Sequence, residues 1–209
     1  MQIFKRKCKI TFIRHGSTLY TEENRLFDEE NYPPLNENGR EEMVRISNWI
    51  KAKGLKIDKL YTSSALRNIQ SARIISKICN EEYEILHNLK SRRSGLWSGL
   101  TYEQIEQKFP EMLDEYHRNS ATFAPPGGET TLEVNGRVKE TLNEIIEKNT
   151  GNRIIIVTHA EVIQAAIQAA LEIPPENQFK VYIPAGSATQ ISYFKNWASL
   201  VYSGYLPLE

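Results

Sequence analysis

Cysteine is scarce in this chain of 209 residues: Cys8 and Cys79 are the only two, with no CxxC spacing and no histidine pair nearby. Neither a disulfide framework nor a zinc site is indicated, and a reducing compartment fits. An excess of charge of either sign is also lacking, because 26 Lys plus Arg balance 26 Asp plus Glu. Proteins that neutralise nucleic-acid phosphates normally carry a basic surplus, so the balance argues against nucleic acid as a partner. Long apolar runs are missing as well. Stretches such as Ile154–Val157 and Ala165–Ile167 fall far short of the ~20 residues that cross a bilayer. The basic Lys5, Arg6, Lys7 and Lys9 are followed by Ile10–Ile13, too short for the apolar core of a secretory signal and stopped by Arg14. A cytoplasmic protein without a membrane span is expected.

What is present is ordinary globular material, 40% hydrophobic and 25% charged, at a length that favours one compact domain. Short β-like runs alternate with longer helical ones, which predicts an α/β fold. The expected architecture is a three-layer sandwich, a mainly parallel sheet with helices on both faces. Strands are expected at Cys8–Ile13, Asp58–Thr62, Tyr83–Leu86, Arg153–Thr158, Phe179–Ile183 and Thr189–Phe194. Helices are expected at Glu37–Lys53, at Ala65–Cys79 with Ser64 as cap, and at Val162–Leu171. A further helix is capped by Thr130 or Thr131, its stripe being Leu132, Val138, Leu142 and Ile145. Residues 88–128 are rich in Gly and Pro and read as an insertion lying over the sheet, with Thr101 opening a short helix.

Ligands of open parallel sheets bind outside the carboxyl ends of the strands. The first expected strand delivers Arg14 and His15 there, the second Ser63, Ser64 and, one helical turn on, Arg67, and the most apolar strand delivers His159. Arginine's planar fork matches phosphate oxygens, and imidazole serves as nucleophile or donor. A phosphoryl group is the guest that suits two arginines and two histidines. His87 and His117 have no comparable placement.

The motifs bear out that chemistry by resemblance. Arg14-His15-Gly16-Ser17-Thr18 resembles the RHG(E)T motif of the histidine phosphatase superfamily, the phosphoglycerate mutase-like proteins. Pro34-Leu35-Asn36-Glu37-Asn38-Gly39 is similar to PLnxxG, and the run from Ser63 to Ala72 to SxLxRxxQTA. Gly95-Leu96-Trp97-Ser98-Gly99-Leu100-Thr101 is similar to GxWEGLT. Pro126-Gly127-Gly128-Glu129 and Val157-Thr158-His159-Ala160 complete a set in the family's order over residues 9 to about 165. The resemblance implies two-step phosphoryl transfer through a phosphohistidine on His15, with Arg14, Arg67 and His159 holding the phosphate oxygens. It implies no metal or cofactor, since fixed cations surround the phosphate, and a small phosphorylated metabolite as partner. A homodimer is left open.

Where the family's phosphatase branch places its acidic Glu, alignment on Leu89 and Gly95 puts Ser91, followed by Arg92 and Arg93. Three explanations stand side by side. The acid is relocated to Glu161, since His159-Ala160-Glu161 is similar to the HAE motif of the inositol polyphosphate phosphatase branch; the substrate has a leaving group that needs little protonation; or the chain binds phosphoesters without turnover. Glu161 is also a residue that a helix N-terminus favours on its own account. Ser17, Thr21 and Ser98 replace residues that are usually Glu, Asn and Glu. Together with Arg92 and Arg93 they point to a more anionic or multiply phosphorylated substrate. A mutase is the weaker reading.

Overall fold

The computed structural model describes residues 6–27 and 33–207; Lys5 of the basic N-terminal segment lies outside them. One sheet of six strands carries the fold: β1 (Cys8–Arg14), β2 (Lys59–Thr62), β3 (Tyr83–Ile85), β4 (Arg153–Thr158), β5 (Ala188–Tyr193) and β6 (Ala198–Tyr205), in the order β3-β2-β4-β1-β5-β6. The β3-β2-β4-β1 portion is parallel and β5 and β6 are antiparallel. The helices are α1 (Leu19–Glu22), α2 (Glu37–Ala52), α3 (Leu66–Cys79), α4 (Tyr102–Lys108), α5 (Pro110–Arg118), α6 (Thr131–Lys148) and α7 (Ala160–Leu171).

The period-two alternation of a strand decides which helix covers which face. Ile10, Phe12, Ile154 and Ile156 point to the side where α6 and α7 supply Val134, Val138, Leu142, Val162 and Ile163. Their neighbours Ile13, Ile155 and Val157 point to the other side, against Met43, Ile46 and Ile50 of α2 and Ala72 and Ile75 of α3. β4 is thus buried on both faces, as a continuous Ile-Ile-Ile-Val run requires. No helix of the described residues is long and apolar enough to cross a membrane.

The insertion has its own small core, in which Trp97 meets Tyr116 edge-on at 5.5 Å beside Ile105 and Leu113. Thr101 and Thr130 open α4 and α6 with reciprocal capping boxes, to Gln104 and Glu133. Gly95, in the left-handed region at φ +51°, backs onto the turn at Pro126–Gly128 so closely that a Cβ would stand 2.3 Å from the Pro126 carbonyl oxygen. The two glycine-bearing motifs are therefore one contact.

Three expectations are corrected. Phe179–Ile183 is not a strand: residues Pro175–Lys180 form a 3-10 turn. The Val181 carbonyl is taken by the Gln164 side chain at 2.6 Å and the Ile183 carbonyl by Arg14, so this backbone has side-chain partners in place of a ladder. Ser64 does not cap α3, whose N-cap is Ala65 without a side-chain bond. Leu132 does not belong to the buried stripe of α6; it is 46% exposed, and Val134, a residue in phase with Val138 and Leu142, takes its place. β6 is additional to the expected strands.

Candidate active site

The register brings three strand ends level. Arg14 of β1 pairs with Thr158 of β4, and Thr62 of β2 with Val157. Beyond them the backbone N–H of His15 donates to the Thr158 carbonyl and that of Ser63 to the Val157 carbonyl. His15 and His159 are thereby set 5.4 Å apart between ring centres, both buried to 1% exposure. Arg67 arrives in the first turn of α3, also 1% exposed.

Hydrogen bonds define the protonation pattern. His15 Nδ1 lies 2.9 Å from the Gly16 carbonyl oxygen, an acceptor, so Nδ1 carries the proton. His15 Nε2 is then a lone pair, and accepts from Arg67 Nε at 3.2 Å. A second Arg67 nitrogen donates to His159 Nδ1 at 3.1 Å, which leaves the His159 proton on Nε2, donating to Ser63 Oγ at 3.0 Å. Burial, with Arg67 and Arg14 beside it, pushes His15 well below the ordinary imidazole value against a smaller opposing contribution from the Gly16 bond. Burial and then Arg67 do the same for His159. Both imidazoles are held neutral.

This has a consequence for stability. Below the unfolded value near 6.5 an unfolded imidazole takes up a proton that its folded, depressed counterpart refuses, so stability falls as the pH falls. Two such groups cost roughly 2 kcal/mol between pH 6.5 and 5.5. Urea midpoints measured across that interval check this, and a midpoint that does not drop removes the assignment of two neutral buried histidines.

The loop after β1 is fixed by close packing. A Cβ on Gly16 would lie 2.2 Å from the Gly39 carbonyl oxygen, and one on Gly39 would lie 2.1 Å from that of Ser17, so both positions demand glycine. Ser71 Oγ accepts from the Gly16 N–H at 3.2 Å and donates to the Arg67 carbonyl at 2.8 Å. The Ser17 N–H and hydroxyl both donate to the Glu42 carboxylate at 2.7 Å. The Ser17 hydroxyl is therefore committed to Glu42.

Beside the buried group opens a cleft of about 450 Å3, lined among others by Arg14, Phe27, Arg92, Tyr102, Glu161 and Phe179. Arg14 donates to the Ile183 carbonyl at 2.6 Å, while its Nε is buried with no partner among the described residues. Glu161, in the first turn of α7, receives a long hydrogen bond of 3.4 Å from Ser91 Oγ. Phe27 packs over the floor, its ring centre 4.0 Å from the Arg67 guanidinium carbon and edge-on to His15.

The residues expected at the site thus separate. Arg14, His15, Arg67 and His159 converge, Glu161 and Arg92 border the cleft, and Ser91 reaches it only through its hydrogen bond to Glu161. Thr21 lines it, but its hydroxyl is used in the capping box that opens α1. Arg93 does not line it: its backbone exchanges hydrogen bonds with Glu129. Four contributors had no assigned part in the sequence reading. Ser63 as partner of His159 and Glu42 as anchor of Ser17 act across the fold, Phe27 carries no local signal, and Arg137 reaches the segment under Ser91 from mid-helix. Among the described residues no group of three His, Cys, Asp or Glu side chains is placed to hold a metal ion.

Comparison with known proteins gives the family and the fold. The family model of the histidine phosphatase superfamily, branch 1, matches residues 10–204. A 2,3-bisphosphoglycerate-dependent phosphoglycerate mutase from Parvibaculum lavamentivorans is 30% identical over 186 residues, covering 85% of this chain and 87% of that protein. The fold matches that of a mycobacterial glucosyl-3-phosphoglycerate phosphatase with a TM-score of 0.82 at 23% identity, over 94% of this chain and 99% of that one. It matches the alpha-ribazole phosphatase from Shigella flexneri with a TM-score of 0.85 at 19% identity, over 96% and 98% of the two chains.

Proposed function

The chain belongs to the histidine phosphatase superfamily, and we propose that within it the protein is a metal-independent phosphatase that hydrolyses a small phosphomonoester through a phosphohistidine on His15. The observation that carries this reading is the locked tautomer: Nδ1 is tied to the Gly16 carbonyl, so the Nε2 lone pair is available to a phosphorus atom. Arg67, which donates to that lone pair, is the natural cation to move onto the phosphoryl oxygens, together with the buried Nε of Arg14. His159 accepts at Nδ1 from Arg67 and must gain a proton there to donate to a phosphate oxygen.

In the first step the Nε2 lone pair forms a bond to phosphorus, the ester P–O bond breaks, and the leaving oxygen takes a proton from the Glu161 carboxyl. In the second step the resulting carboxylate takes a proton from water, whose oxygen bonds to phosphorus while the Nε2–P bond breaks and its electron pair returns to Nε2, releasing inorganic phosphate. Glu161 earns this role by lining the cleft and by its contact with Ser91. A positioned acid contributes ~10²–10⁴-fold, and that contribution matters most where the leaving group is a poor one. Glu161→Gln should lower kcat for an alkyl phosphate by about 10²-fold or more while changing an aryl phosphate far less. Parallel losses on both substrates would remove Glu161 as the acid. An absence of turnover on either substrate by the native chain would instead favour a phosphoester-binding protein.

A further inference from the structure

Arg92 is 8% exposed and stands in the wall of the cleft. Its guanidinium carbon lies 5.6 Å from the centre of the Tyr116 ring. Among the described residues no carboxylate forms an ion pair with it; burial works against its charge, and Tyr116 and then, from longer range, Glu161 favour it. The contrast with other arginines here is sharp. Arg25, on the same cleft, is paired with Glu23 and bonded to the Gly99 carbonyl, and half-buried Arg137 grips Glu129 at two points. An arginine stays charged in a protein, and a buried one held by a phenol and a distant carboxylate in place of a direct ion pair keeps its donors open to a ligand. A buried cation without an ion-pair partner in the wall of a reaction cleft is placed to meet an anionic ligand.

We infer that Arg92 is a specificity residue that takes a second anionic group, a carboxylate or phosphate, on the leaving-group side of the substrate. The substrate class is then phosphomonoesters that carry a second oxyanion. The inference rests on the phosphatase reading of this site, and it adds what the leaving group must contain. The guanidinium fork presents parallel N–H donors to such a group, and the flanking Phe27, Tyr102 and Phe179 leave room for a ring or chain between the two anions.

The test compares 4-carboxyphenyl phosphate with its neutral isostere 4-carboxamidophenyl phosphate, and 3-phosphonopropanoate with propylphosphonate as ligands that cannot turn over. The native protein should prefer the carboxylated member of each pair by about 10-fold or more, in kcat/KM and in calorimetric affinity. Arg92→Met should abolish the preference and leave the neutral members within about threefold, while Arg92→Lys restores part of it. Because the native arginine has no carboxylate partner, Arg92→Met should leave the thermal midpoint unchanged or raise it. Equal affinities of the native protein for the two phosphonates overturn the inference whether or not any ester is hydrolysed. A preference that survives in Arg92→Met, or a midpoint that falls by many degrees, overturns it also, since the residue is then structural. If the phosphonates discriminate but no ester turns over, the phosphatase reading fails and the anion site stands.

Discussion

His15→Ala should lower kcat by about 10⁴-fold while leaving the affinity for inorganic phosphate within a few-fold of native. The separation follows from the division of labour at the strand ends. His15 supplies the Nε2 lone pair, whereas the charge that attracts phosphate belongs to Arg14 and Arg67, which remain. In the native chain Arg67 Nε is engaged by that lone pair; the substitution releases the donor, so phosphate binding has no reason to weaken. Removal of a ring whose buried neutral form is held by one carbonyl and one guanidinium should leave a folded protein. Rapid quenching under alkaline conditions, which preserve a phosphohistidine, should trap the phosphorylated protein in the native case and not in the variant. Turnover above about one per cent of native would mean that another group attacks phosphorus. A parallel loss of phosphate affinity would mean that the ring holds the site open.

The strand ends were legible because they are local. A β-branched or apolar run of five or six residues stopped by Arg-His-Gly or by Thr-His-Ala states both the strand and the residue at its mouth, and parallel register does the rest. Gly16 and Gly39 were legible as motif positions, but their reason was not, because Gly16 makes room for Gly39 and Gly39 for the Ser17 backbone, across the chain. What escaped was decided across the chain. Phe179–Ile183 looks like a strand by its apolar content, yet the chain enters it from the 3-10 turn at Pro175–Lys180, and Gln164 and Arg14 take the Val181 and Ile183 carbonyls. Ser17 and Thr21 sit where a substrate contact would be expected, yet Glu42 and the α1 cap claim their hydroxyls. β6 was hidden by its place at the sheet edge, where only alternate side chains of its second half are covered.

Arg137 is the clearest case of a residue whose part is invisible in sequence, and its loss should be the costliest to stability. From the middle of α6 its guanidinium grips the Glu129 carboxylate at 2.7 and 3.0 Å and donates to the carbonyls of Asn88, Lys90 and Ser91 at 2.9, 2.9 and 3.1 Å. One side chain thus pins the segment that carries Ser91 and Arg92 to the helix beneath it. Burial alone would raise the Glu129 carboxyl, but Arg137 first, and Arg93 after it, outweigh burial and hold the group below the usual carboxylate range. Arg137→Met leaves a carboxylate that is 4% exposed without its cation, together with three carbonyls short of a donor. Breaking a buried pair in this way costs about 3–5 kcal/mol, or roughly 10 °C in a domain of this size. The sign of the pH dependence separates this from a simple packing loss. Without Arg137, burial raises the Glu129 pKa, so Glu129 sheds its charge sooner as the pH falls, and the gap between variant and native should narrow on acidification. Adding Glu129→Gln to the variant removes the stranded charge and should recover a substantial part of the loss at neutral pH. A penalty that is the same at pH 7 and pH 5 and is untouched by the second substitution would show that Arg137 acts through the packing of its stem, and that Glu129 is indifferent to it.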